Sequence, residues 1–157
     1  MRDDSQAAVQ APTDPQELAA TVGAAMYAGD AASQGLQMRL EAISPGYARM
    51  SMRVRGDMLN GHRTCHGGFI FALADSAFAF ACNSRNQNTV ASGCTIDYLA
   101  PAYEGDVLSA EARERSLAGR TGVYDVAVAN QDGRAIALFR GRSYRIKGQM
   151  VGQEPPG

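Results

Sequence analysis

The stretch from His66 to Cys82 constrains this chain more than any other. Its apolar residues recur at helical spacing on two faces, Phe69, Leu73, Ala77 and Phe80 on one, Ile70, Ala74, Phe78 and Ala81 on the other. A helix that is apolar on several sides has to be covered on several sides. The stretch is too short to span a bilayer, and Asp75 interrupts it. That aspartate is the only charged side chain between His66 and Ser84.

The flanking segments say what can cover the helix. Asp14, Pro15 and Glu17 form a helix start, with an N-cap, a proline at the first helical position and a capping-box acid. Leu18, Val22, Ala25 and Met26 give that helix one apolar face, and Gly29 stops it. Strand-like runs follow at about 36–43 and 47–54, the second alternating Ala48, Met50, Met52 and Val54 with Arg49, Ser51 and Arg53. A loop over 55–65 leads into the apolar helix. Four more strands are expected near 90–99, 107–117, 122–130 and 134–146, joined by glycine-containing turns.

Short turns imply antiparallel neighbours. The economical arrangement is α+β, one antiparallel sheet wrapped around one long central helix. A single sheet covers only one side of that helix, so a second copy of the chain is expected on the other. The domain is expected over 14–147, with a disordered N-terminal tail over 1–13 and a flexible C-terminal tail over 148–157.

The net charge of −1 gives no reason to expect nucleic acid or an anionic membrane as partner. Cys65, Cys82 and Cys94 are odd in number and match neither a disulfide framework nor a zinc ribbon. With no signal-peptide pattern at the N-terminus, the expectation is reduced thiols in the cytoplasm.

Two features of the apolar helix carry chemistry. A carboxylate in apolar surroundings loses solvation, so Asp75 has to be neutralised, paired or functional. Gly67 and Gly68 stand at the helix start, where first-turn N–H groups are free donors and glycine admits a close ligand. That is the layout of an oxyanion hole, although such glycines also serve plain tight packing. Gly67 and Asp75 are eight residues apart, about 12 Å along a helix axis. Groups acting on one carbonyl lie much closer, so the aspartate would come from a neighbouring subunit whose helix runs the opposite way. His62 and His66 lack a third ligand nearby, so no metal site is expected. Cys65 beside His66 reads as a packing residue rather than a nucleophile.

The motifs themselves are recognisable. Met58-Leu59-Asn60-Gly61-His62, Cys65-His66-Gly67-Gly68, Leu73-Ala74-Asp75-Ser76-Ala77-Phe78 and Ile96-Asp97-Tyr98-Leu99-Ala100-Pro101 closely resemble the PaaI-type thioesterases of phenylacetate degradation, in the hotdog superfamily. Gly122-Val123-Tyr124-Asp125 and Ala137-Leu138-Phe139-Arg140-Gly141 extend the resemblance, which runs from about 25 to 148. It implies a hotdog fold whose helices pack across a dimer interface, in dimers or dimers of dimers. It implies Asp75 as general base or nucleophile, the Gly67 amide as oxyanion donor, Asn60 orienting water or thioester, and His66 holding the loop. Relatives with Thr or Ser one turn after the acid use it to position water, whereas this chain has Ala79 there.

The implied substrate is phenylacetyl-CoA or hydroxyphenylacetyl-CoA, with coenzyme A part of the substrate and no separate cofactor. Gly119, Arg120 and Thr121, with Arg145, are the expected contacts of the coenzyme; Arg140, Arg142 and Lys147 are further cations on the last strand. Met58, Leu59 and Phe71 are the expected acyl-pocket residues. Two other readings stay open: a hotdog acyl-CoA hydratase or dehydratase using His66 and Asp75, and a non-catalytic acyl-CoA-binding protein.

Overall fold

The computed structural model describes residues 10–152. Most of the expected N-terminal tail and the last part of the C-terminal one lie outside them. Helix α1, Pro15–Gly29, starts as anticipated, with Asp14 Oδ2 accepting from the Glu17 amide at 2.9 Å. A short helix α2, Ala31–Gly35, follows at once, because Asp30 ends one helix and accepts from the Ser33 amide in the next. Leu36 closes α2 and Gln37 has φ of 54°, so strand β1 begins at Arg39 and not at Leu36.

Strands β1, Arg39–Ser44, and β2, Tyr47–Arg53, pair as a hairpin. After the loop come α3, Gly67–Asn83, then β3, Thr89–Tyr98, β4, Val107–Ala118, β5, Thr121–Ala129, and β6, Ala135–Arg145. All six strands form one antiparallel sheet in the order β1-β2-β4-β5-β6-β3. This is the expected helix-in-sheet arrangement of a hotdog fold.

Alternation along the strands builds the inner face. Ala48, Met50 and Met52 of β2 stand opposite Ala112, Ala110 and Leu108 of β4, and Ala110 and Ala112 stand opposite Val128 and Val126 of β5. All of these are buried, with the α3 residues Ile70, Leu73, Ala74, Ala77, Phe78, Phe80 and Ala81 pressed onto them. Small residues in the sheet centre let the helix lie close, so one apolar cluster joins both layers.

The covering is incomplete on one side of α3. Gly68, Phe71, Ala72, Asp75 and Ala79, at helical spacing, are not fully buried. Strand β3 lies at the end of the sheet beside this stripe, pairs only with β6 and carries exposed Val90 and Tyr98. Such an edge presents unpaired backbone donors and acceptors.

The first part of the C-terminal tail is held rather than loose. Asn86 Oδ1 accepts from the Met150 and Val151 amides, and Asn86 Nδ2 donates to the Val151 carbonyl. Among the described residues no helix is long and apolar enough to cross a membrane.

Candidate active site

The loop before α3 is organised by Asn60. Its Oδ1 accepts from the His62 amide, the Thr64 amide and the Thr64 hydroxyl at 2.9, 3.2 and 3.3 Å. Three donors on one oxygen fix which way the amide faces, and leave Nδ2 with no protein partner among the described residues. The loop is closed behind by the Cys65 amide on the Ala102 carbonyl and the His66 amide on the Met58 carbonyl, both 2.8 Å.

His66 then caps α3. Its Nδ1 accepts from the Gly68 amide at 3.0 Å, and its carbonyl accepts from the Phe69 amide. With Nδ1 as acceptor, the neutral ring carries its proton on Nε2. Of the successive amides of residues 65–69, only that of Gly67 has no partner among the described residues. A single free donor is left at the positive end of a long helix, with no side chain on its own residue to obstruct approach.

Asp75 lies two turns further on, on the incompletely covered stripe. It has neither hydrogen bond nor ion pair among the described residues, and burial raises its carboxyl above the ordinary 3.8. Its charge adds to the burial that raises the Cys82 and Cys94 thiols. Burial, against a backbone hydrogen bond and with a smaller push from the Asp75 carboxylate, raises the Cys82 thiol to about 12. Burial alone pushes Cys65 up to about 11. Both thiols stay protonated at neutral pH.

The remaining expected residues fall in three places. Met58 is wholly buried in the core cluster and reaches no surface of the single chain. Leu59 and Phe71 are partly buried, and Phe71 packs edge-on against Phe139 with ring centroids 5.4 Å apart. Gly119, Arg120 and Arg145 come together in a narrow cleft by the C-terminal end of α3, with Arg85 and Cys82. There the β4–β5 hairpin turns on Gly119, at φ 59°, and the Arg120 carbonyl accepts from the Arg145 amide at 2.8 Å. Thr121 donates its hydroxyl to Ala118 at the base of the same turn.

Arg85 was not anticipated in this cleft; it is paired with Glu114, which also accepts from the buried Tyr124 hydroxyl. Nothing local in the sequence announces that triad, since Arg85 follows α3 while Glu114 lies in β4 and Tyr124 in β5. Arg140 is engaged elsewhere, gripping Asp125 through Nε and Nη2. Arg140, with Arg115, holds the Asp125 carboxyl below its usual range, against some desolvation. Among the described residues no three His, Cys, Asp or Glu side chains gather as a metal site requires.

Known proteins are similar to this chain in sequence and fold. The thioesterase superfamily profile matches residues 62–137, from the loop before α3 into β6. An acyl-coenzyme A thioesterase PaaI of Escherichia coli is 48% identical over 129 residues, 82% of this chain and 92% of the relative. The solved structure of the E. coli PaaI protein from the phenylacetic acid degradation operon superposes with a TM-score of 0.85 at 46% identity, over 86% of this chain and 98% of that one. A hypothetical thioesterase of Streptococcus pneumoniae, solved with coenzyme A, matches at a TM-score of 0.68 and 26% identity, over 71% of this chain and 90% of that one. With the same fold, and a free helix-start amide and unpaired carboxylate in its site, the chain belongs to the PaaI-type thioesterases of the hotdog superfamily.

Proposed function

We propose that the protein hydrolyses acyl-coenzyme A thioesters, phenylacetyl-CoA or a ring-hydroxylated relative foremost, at a site shared between two copies of the chain. One observation carries this reading: α3 holds one amide and one carboxylate, Gly67 and Asp75, that have no partner among the described residues and stand about two helical turns apart, too far to meet within one chain. An antiparallel second α3 laid on the uncovered stripe would bring the Asp75 of one copy towards the Gly67 of the other. The homo-oligomer is therefore at least a dimer, and we favour a dimer of dimers.

In this mechanism the thioester carbonyl accepts from the Gly67 N–H, which stabilises the developing oxyanion. Asp75 takes a proton from water as its oxygen attacks the carbonyl carbon; the C–S bond then breaks and the proton passes to the departing thiolate. A thiolate is a good leaving group, so one base and one oxyanion donor suffice. Direct attack by Asp75, through an anhydride, is the variant of the same site. Asn60 Nδ2 is the spare donor for water or thioester, and His66 keeps the helix start in place.

The coenzyme would meet Gly119, Arg120, Thr121 and Arg145, a cation cleft in which Arg120 has no ion pair among the described residues. The acyl group would lie against Leu59 and Phe71, with Met58 behind. The reaction asks for no cofactor beyond the coenzyme that the substrate carries. Free thiols at Cys65, Cys82 and Cys94 support a cytoplasmic setting. The use of His66 Nδ1 as a helix cap weighs against the hydratase alternative, which needs that ring for acid–base work.

Thiol release from a panel of phenylacetyl, hydroxyphenylacetyl, benzoyl and aliphatic CoA esters tests the proposal, with Asp75→Asn beside the wild type. Preference for the aryl-acetyl esters and a fall of about 10²- to 10⁴-fold in the variant are expected. Full activity in the variant would remove Asp75 from the mechanism.

A further inference from the structure

We infer that Tyr98 is a positioning residue for this reaction: it clamps residue 67 so that the Gly67 amide faces the thioester carbonyl. The inference rests on the reading of Gly67 as oxyanion donor.

Tyr98 is the last residue of β3, far from Gly67 in sequence and against it in space. Its hydroxyl donates to the Gly67 carbonyl at 2.8 Å. Its ring lies over the Gly67 α-carbon so closely that a Cβ there would stand 2.9 Å from Tyr98 Cζ and 3.0 Å from the hydroxyl oxygen. Both groups border one open groove, with Thr64, Ile70 and Leu99. Among the described residues the tyrosine side chain makes no other hydrogen bond, and Tyr98 is half exposed at 51%. A core anchor would be buried; this one sits at the rim of the groove that a ligand of Gly67 has to enter.

The hydrogen bonds run in line. The Tyr98 O–H donates to the Gly67 carbonyl, and the next amide in the same peptide unit, Gly68 N–H, donates to His66 Nδ1. Each bond polarises the next. The peptide after Gly67 is thus gripped at both its oxygen and its nitrogen, and the peptide that carries the free amide is held at its oxygen by the Phe69 amide, so residue 67 is fixed from both sides. Burial, with a smaller push from Cys65, raises the Tyr98 phenol, so it remains a donor throughout the neutral range. An oxyanion donor is effective only when it is already aimed before the charge develops. The clamp supplies that aim from the last residue of the edge strand β3.

The test uses full-length protein. Tyr98→Phe keeps the ring over Gly67 and removes only the hydroxyl. It should lower kcat by about 3- to 10-fold, the worth of one such hydrogen bond, with KM and the thermal midpoint unchanged. The direct readout is the carbonyl stretch of ¹³C-labelled phenylacetyl-CoA bound to Asp75→Asn, by difference infrared spectroscopy. A stretch below its solution value in Asp75→Asn, moving back towards it in Asp75→Asn/Tyr98→Phe, supports the clamp. A lowered stretch that is identical in both proteins overturns the role of Tyr98 and leaves Gly67 as donor. A stretch at the solution value in Asp75→Asn itself overturns the Gly67 reading, and the clamp with it.

Discussion

Phe78 of α3 rests directly on Gly141 of β6: a Cβ on Gly141 would stand 2.7 Å from Phe78 Cε2 and Cζ. Phe78 also meets Tyr124 and Phe139, at ring-centroid distances of 5.6 and 5.9 Å. Backbone here does the work of a side-chain hole, and the ring cannot move aside without disturbing two other aromatics. Gly141→Ala should therefore destabilise the fold by about 1–3 kcal/mol, as overpacking does. Phe78→Leu in the same chain should recover part of the loss, and urea unfolding of the single and double variants measures both.

Asp75 should leave a pH signature in stability as well as in rate. Burial raises its folded pKa above the ordinary 3.8. The folded state therefore holds this proton more tightly than the unfolded state does. The resulting stabilisation is complete below the unfolded pKa and is lost as pH rises through the folded one. Asp75→Asn has no such titration. The stability of wild type minus that of the variant should thus fall with rising pH from about 4 upwards and then level off. Denaturant midpoints of both proteins over pH 3–8 would show a flat difference if the carboxyl is not desolvated.

His66 should matter to the helix apart from any chemistry. Removing an N-cap acceptor costs about 0.5–2 kcal/mol. His66→Ala frees the Gly68 amide that Nδ1 now accepts. Loss of stability in that range is expected in urea, with His66→Asn retaining most of the wild-type value because its side-chain oxygen can take over the cap. Equal losses in both variants would show that the cap is not what the imidazole contributes.

Asn86 should anchor the chain after β6. It is 4% exposed, has φ of 60°, and makes three hydrogen bonds to Met150 and Val151. Asn86→Gly keeps the backbone conformation and removes those bonds. A destabilisation of about 1–3 kcal/mol is expected. Hydrogen exchange should locate it, with the Met150 and Val151 amides losing protection while the centre of β5 keeps its own.

The central helix, its lone acid and its free amide were legible because each is written locally, in the spacing of Phe69 to Phe80 and the Gly67-Gly68 start. The α1 cap was legible for the same reason. What escaped was set by distant partners. Asp30 serves two helices at once, so α2 carries no start signal of its own, and the strand expected from Leu36 begins only at Arg39. Asn86 binds residues 150 and 151, so a glycine-rich tail that reads as loose is held. Tyr98 showed nothing beyond its place in a familiar motif, since its contact with Gly67 exists only once β3 has found the sheet.

The place of β3 in the sheet also has a consequence for the newly made chain. This strand follows α3 directly, yet its one neighbour is β6, the last strand in the sequence. On the ribosome, β3 has no strand partner until synthesis has reached β6, and its first residues none until Arg145. During that interval a long bare strand and the α3 flank carrying Asp75 stand open together. Fast local pairing cannot protect them. The segment that carries the chemistry is thus the last to be sheltered, and the one most open to interception by other nascent chains.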